Sequence, residues 1–211
     1  GLQTVASDYY GAPALLPVAG SQAAIQALPR LRARSRVGVI APGYAEHAHA
    51  WRAAGHDVEC LPAATLLAEH ARFNVIVLIH PNNPGGERFE RARLLALHST
   101  LARRGGWLVV DEAFMDATPQ DSLCDVSDGD GLIVLRSVGK FFGLAGARAG
   151  FVCAAPSILA ALDEVLGPGT IPGPSRHVLR AALADTAWHA MQRERLSPYG
   201  SRLGTTLAST G

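Results

Sequence analysis

The sequence predicts an open α/β fold, a mostly parallel sheet flanked by helices. Two observations carry that prediction. Short runs of apolar, often β-branched residues recur along the chain, and several are separated by helix-like stretches. The runs are continuously apolar, the pattern of strands covered on both faces.

The elements follow in order. A helical stretch over Ser21–Ala33 opens at a small-residue turn, Gly20-Ser21. Next come the strand Arg36–Ala41, the helix Tyr44–Ala54 and the strand Asp57–Leu61. The strand Phe73–Ile79 precedes the helix Glu87–Arg103, and the strand Trp107–Val110 follows it. Leu132–Leu135 and Ala149–Ala154 complete the predicted strands. Two helices, Ser157–Leu166 and Ser175–Leu196, flank a breaker-rich connector at Gly167–Pro174. The tail after Ser197 is small and polar, and there is no internal repeat, charge block or low-complexity segment.

The chain has 211 residues, enough for one domain with a sizeable core. Apolar residues make up 48% and charged residues 18%, which fits a globular chain and not a disordered one. Nineteen basic and 18 acidic residues leave a net charge of +1, so neither nucleic acid nor a membrane surface is an expected partner. The longest aliphatic run, Val75–Ile79, is far short of the roughly 20 residues a membrane helix needs. The start, Gly1-Leu2-Gln3-Thr4, lacks the basic and apolar regions of a secretion signal. Three scattered cysteines, Cys60, Cys124 and Cys153, suit a reduced, cytoplasmic protein.

Of the 19 basic residues only Lys140 is a lysine. Arginine cannot replace lysine where a neutral primary amine is needed, since guanidinium stays protonated. Condensation with an aldehyde needs that amine. A surface lysine surviving by chance explains the composition equally well.

Five segments, most of them next to predicted strands, carry the candidate chemistry. Gly20-Ser21-Gln22 opens a helix, where free amides favour a phosphate; an ordinary Ser cap is the plainer alternative. Tyr44 puts an aromatic at the mouth of the sheet, for stacking on a planar ligand or simply for packing. His80-Pro-Asn-Asn-Pro-Gly-Gly86 is a heavily punctuated turn whose asparagines, Asn83 among them, are short donors. Asp111 follows a buried strand and needs a partner, either a protonated ring nitrogen or an arginine. Ser137, Lys140 and Arg148 lie in a glycine-rich stretch, and Ser and Arg can both hold phosphate oxygens.

Three other motifs fail. Gly139-Lys140 is no Walker loop, because Val134 and Phe141 stand where Gly and Ser or Thr are required. Gly143, Gly146 and Gly150 have the wrong spacing for a dinucleotide loop. His47-x-His49 lacks a completing Cys, Asp or Glu cluster and is expected on a solvated helix face.

Together the segments resemble the fold-type-I pyridoxal-phosphate enzymes of the aminotransferase superfamily, from about Tyr10 to Trp188. The pattern N-P-x-N-P-T-G is matched by His80–Gly86, and D-E-A-Y by Asp111–Phe114. S-x-x-K with an Arg eight residues after the Lys is matched by Ser137, Lys140 and Arg148. The resemblance implies pyridoxal 5′-phosphate as cofactor and Lys140 as its Schiff-base lysine. It implies Asp111 as partner of the ring nitrogen, Asn83 as donor to the ring oxygen and Tyr44 as the stacking residue. Ser137, Arg148 and the amides of Ser21 and Gln22 would form the phosphate cup. Two positions depart from the pattern: Phe114 replaces a Tyr that bonds the ring oxygen, and Gly139 replaces a frequent Ser.

Gly139–Gly146 with Gly20–Gln26 is similar to the cobalamin-biosynthesis branch, the threonine-phosphate decarboxylases, close cousins of the histidinol-phosphate aminotransferases. That resemblance implies decarboxylation of L-threonine O-3-phosphate. Transamination of a phosphorylated amino compound is the alternative, and a non-catalytic cofactor-binding domain is a further one. Family members are longer. Residues 1–196 are expected to form the cofactor-binding large domain, with an N-terminal segment missing. Residues 197–211 would start a small domain that is mostly absent, along with its carboxylate-binding Arg. A homodimer is expected for the intact protein.

Overall fold

A computed structural model describes residues 1–196. The predicted α/β sheet is present, with seven strands among the described residues. The elements are α1 (Leu2–Tyr10), β1 (Leu15–Val18), α2 (Ser21–Ala27), β2 (Arg36–Ile40), α3 (Glu46–Ala53), β3 (Asp57–Leu61) and α4 (Ala63–Ala68). They continue with β4 (Val75–Ile79), α5 (Arg91–Ala102), β5 (Trp107–Asp111), β6 (Leu132–Ser137), β7 (Gly150–Ala154), α6 (Pro156–Leu166) and α7 (Gly173–Ala184). The chain is helical again over 186–196.

The strand order is β1-β7-β6-β5-β4-β2-β3. From β3 to β6 all neighbours are parallel, whereas β7 runs antiparallel to both β6 and β1. Successive residues of the central strands point to opposite faces and enter two cores. Val75, Val77, Val109, Ile133 and Leu135 pack on one side with Ile25, Leu28, Trp51 and Leu162. Ile76, Leu78, Val110, Leu132 and Val134 pack on the other with Leu2, Ala6, Leu94, Leu101 and Leu179. Double coverage is the reason these strands read as unbroken apolar runs.

Several sequence expectations are corrected. β1 was not foreseen: it is four residues long and contains Pro17. Proline fits there because β1 is the outermost strand and needs no complete ladder. α1 and α4 were also missed. β3 is a strand as expected, but it lies at the opposite edge and is only partly covered. The helix expected over Ser21–Ala33 ends at Ala27 and passes into a 3-10 turn containing Pro29. The helix expected over Ser175–Leu196 breaks at Asp185, whose carboxylate accepts the Trp188 amide at 2.9 Å and starts a second helix. The expected start of a small domain at 197–211 lies outside the described residues.

Candidate active site

The carboxyl ends of β2, β4, β5 and β6, with the segment leading into β7, open on one cavity of about 390 Å³. Strand carboxyl ends are where open α/β sheets bind ligands. All eight residues singled out from the sequence line it: Ser21, Gln22, Tyr44, Asn83, Asp111, Ser137, Lys140 and Arg148.

Asp111 ends β5 at the floor of the cavity and is buried. Its Oδ1 accepts the Ala113 amide at 3.0 Å. Its Oδ2 lies 2.8 Å from Nε2 of His47, also buried. A carboxylate only accepts, so the imidazole donates. The expectation of a solvated face for His47 and His49 therefore holds for His49 alone. His47 is the partner of Asp111 that sequence reasoning missed. The one signal available was that a buried Asp111 carboxylate needs a donor, and nothing in the sequence says which residue supplies it.

At the far end of the cavity, close backbone approach is built from glycines. Gly20 has φ +80°, and a Cβ there would lie 3.1 Å from Nη2 of Arg148. A Cβ on Gly150 would meet the Arg136 carbonyl at 2.6 Å and the Ser21 amide at 2.8 Å. β7 thus runs directly against the start of α2. Arg148 itself is held in the left-handed region at φ 45°, a conformation disfavoured for a side-chain-bearing residue and often found at functional sites. Among the described residues no carboxylate pairs with its guanidinium. As the first two residues of α2, Ser21 and Gln22 have amides with no carbonyl one turn earlier. Ser137 Oγ accepts the Gly139 amide at 3.3 Å. This end therefore gathers donors and positive charge, the chemistry of an anion site.

Along the walls, Lys140 is exposed and its Nζ lies 5.3 Å from the centroid of the Phe114 ring. Tyr44 stands opposite α2, and its hydroxyl donates to Gln22 Oε1 at 3.2 Å. Gln22 Nε2 in turn donates to Glu46 Oε2 at 2.8 Å. Asn83 is exposed, while its buried neighbour Asn82 ties the loop down. The Asn82 amide nitrogen donates to the Pro42 carbonyl at 2.9 Å and to Glu87 at 2.7 Å. His80, which opens this loop, is buried, and its Nδ1 accepts the Phe89 amide at 3.3 Å. Burial, seconded by the charge of Arg88, lowers the His80 pKa to about 4.

Next in sequence to Asp111 and Ser137, the buried side chains of Glu112 and Arg136 pair with each other. Arg136 reaches Glu112 at 2.6 Å and Asp116 at 2.7 Å. Its guanidinium also lies over the Tyr10 ring at 4.7 Å. Burial pushes the Glu112 carboxyl up, and Arg136 opposes that shift.

Among known proteins, the chain is 56% identical over its full length to the threonine-phosphate decarboxylase of Pseudomonas aeruginosa, and it spans 64% of that relative. A histidinol-phosphate aminotransferase of Aeromonas hydrophila matches at 37% identity over 119 residues, 56% of this chain and 33% of that one. Among solved structures, the histidinol-phosphate aminotransferase of Clostridium acetobutylicum superposes with a TM-score of 0.89 at 19% identity, covering 100% of this chain and 66% of that one. That likeness is one of fold. The family model for aminotransferase class I and II matches residues 2–210, and this chain belongs to that family.

Proposed function

We propose that the intact protein is a pyridoxal-phosphate enzyme that decarboxylates L-threonine O-3-phosphate to 1-amino-2-propanol O-2-phosphate, a step of cobalamin biosynthesis. Residues 1–196 would form its cofactor-binding large domain. The observation that carries the substrate assignment is the 56% identity, across the whole chain, to a threonine-phosphate decarboxylase. The cavity fits the cofactor. A guanidinium lies over a glycine at one end, a buried carboxylate stands at the floor, and the chain's one lysine stands at the wall.

When bound, the cofactor supplies an electron sink for charge developing at the substrate's α-carbon. Lys140 would hold it through its amine and later return a proton to that carbon. Asp111, fixed by His47 and the Ala113 amide, would keep the ring nitrogen protonated. Asn83 would donate to the ring oxygen. Phe114 cannot, so one hydrogen bond of the common pattern is gone. Tyr44 would cover the ring face. Ser137, Arg148 and the amides of Ser21 and Gln22 would hold the phosphate. Which bond at the α-carbon breaks depends on how the substrate's carboxylate is oriented. A homodimer and a cytoplasmic location complete the proposal, and three free cysteines support the latter.

The test uses full-length protein. Threonine phosphate without any keto acid should release carbon dioxide over many turnovers. An aminotransferase would stall there and would instead turn over histidinol phosphate with 2-oxoglutarate. That second outcome, with no carbon dioxide from the first, would overturn the decarboxylase assignment. Borohydride should fix a pyridoxyl group on the peptide containing Lys140, and Lys140→Arg should abolish it.

A further inference from the structure

Tyr44 is 44% exposed. An aromatic ring that far out of the core is not held by packing alone, yet as a wall of the cavity it must keep one orientation. Two contacts restrain it. The His47 ring meets it edge to face, with centroids 6.2 Å apart at 83°. Its hydroxyl is the first link of a chain: Tyr44 donates to the Gln22 amide oxygen, and the Gln22 amide nitrogen donates to Glu46. The amide orientation satisfies both links, since Gln22 accepts from a phenol and donates to a carboxylate. Gln22 sits in the first turn of α2, whose N-cap is Gly20, the residue against which Arg148 lies. The chain thus ties the aromatic wall of the cavity to its anion-binding end.

We propose that Gln22 and Glu46 are positioning residues that hold the Tyr44 ring as the plate covering the cofactor. The proposal rests on the pyridoxal-phosphate reading above and adds a role for two side chains. Gln22 acts through its side chain as well as its amide, and Glu46 acts only through Gln22.

The experiment compares variants of the full-length, cofactor-loaded protein by two readouts: the rate of cofactor release and the visible circular dichroism of the bound cofactor, which reports ring orientation. Gln22→Met and Tyr44→Phe should each speed release about fivefold, the worth of one modest hydrogen bond. Both should alter the dichroic band. The double variant should be no worse than either single one, because both break the same link. Tyr44→Ala should release faster than Tyr44→Phe. Glu46→Gln, which keeps an acceptor, should behave like the parent, and Glu46→Ala like Gln22→Met. Parental release and dichroism in Gln22→Met, with the pyridoxyl group still fixed on Lys140, would overturn this inference alone. Additive effects of Gln22→Met and Tyr44→Phe would overturn it as well. Absence of the pyridoxyl group from Lys140 would overturn the cofactor reading, and this inference with it.

Discussion

His47 Nε2 and Asp111 Oδ2 lie 2.8 Å apart, with both side chains buried. A buried carboxylate left without its donor pays a desolvation cost and loses its fixed orientation. His47→Leu should therefore lower kcat by roughly 10- to 100-fold, the worth of one hydrogen bond to a charged group. Cofactor affinity should fall less, because in the proposed role Asp111 acts most strongly when charge develops in the transition state. His47→Gln, whose amide can donate, should recover part of the rate. Parental kcat in His47→Leu would mean that the Ala113 amide suffices to hold Asp111.

Arg148 and Gly20 make a second pair. A Cβ on Gly20 would stand 3.1 Å from the Arg148 guanidinium, on a backbone at φ +80° that disfavours side chains. Gly20→Ala should weaken cofactor binding through both effects. Arg148→Lys should weaken it by about tenfold, since a point charge replaces a planar fork. Equilibrium titration of the apo-protein with pyridoxal phosphate measures both. Unchanged affinity in Arg148→Lys would remove this residue from the anion site.

Arg136 neutralises two buried carboxylates, at 2.6 Å from Glu112 and 2.7 Å from Asp116. Removing the shared cation strands both acids. Arg136→Met should destabilise the fold by about 3–5 kcal/mol, read as a shift in the urea midpoint. Adding Glu112→Gln should recover part of that loss, because one stranded charge is gone. An unshifted midpoint would show that the network is solvated.

The sheet was legible because double coverage makes each central strand a continuous apolar run. The lining of the candidate cavity was legible because most of its residues lie next to the ends of those runs. β1 was not legible, since an outermost strand of four residues tolerates Pro17 and so reads as a turn. The break at Asp185 was hidden because one carboxylate cap interrupts an otherwise helical pattern. His47 was misread because a sequence does not show which face of α3 meets the sheet. The Tyr44–Gln22–Glu46 chain joins residues up to 24 positions apart, and no local pattern announces it.

His80 gives the last prediction, one of pH dependence. Its ordinary pKa is 6.5, and in the fold burial, seconded by Arg88, holds it down to about 4. Between those values the unfolded chain binds more protons than the native one. Stability should therefore fall as pH drops from about 6.5 toward 4, and this contribution should level off below that. The full loss should be roughly 2 kcal/mol after allowance for residual solvation of the ring. His80→Asn keeps an acceptor for the Phe89 amide and carries no titrating group. Its urea midpoint should decline less than the parent's between pH 7 and pH 5, while carboxylate effects remain common to both. Parallel declines in the two proteins would mean that His80 takes up its proton without disturbing the loop it opens.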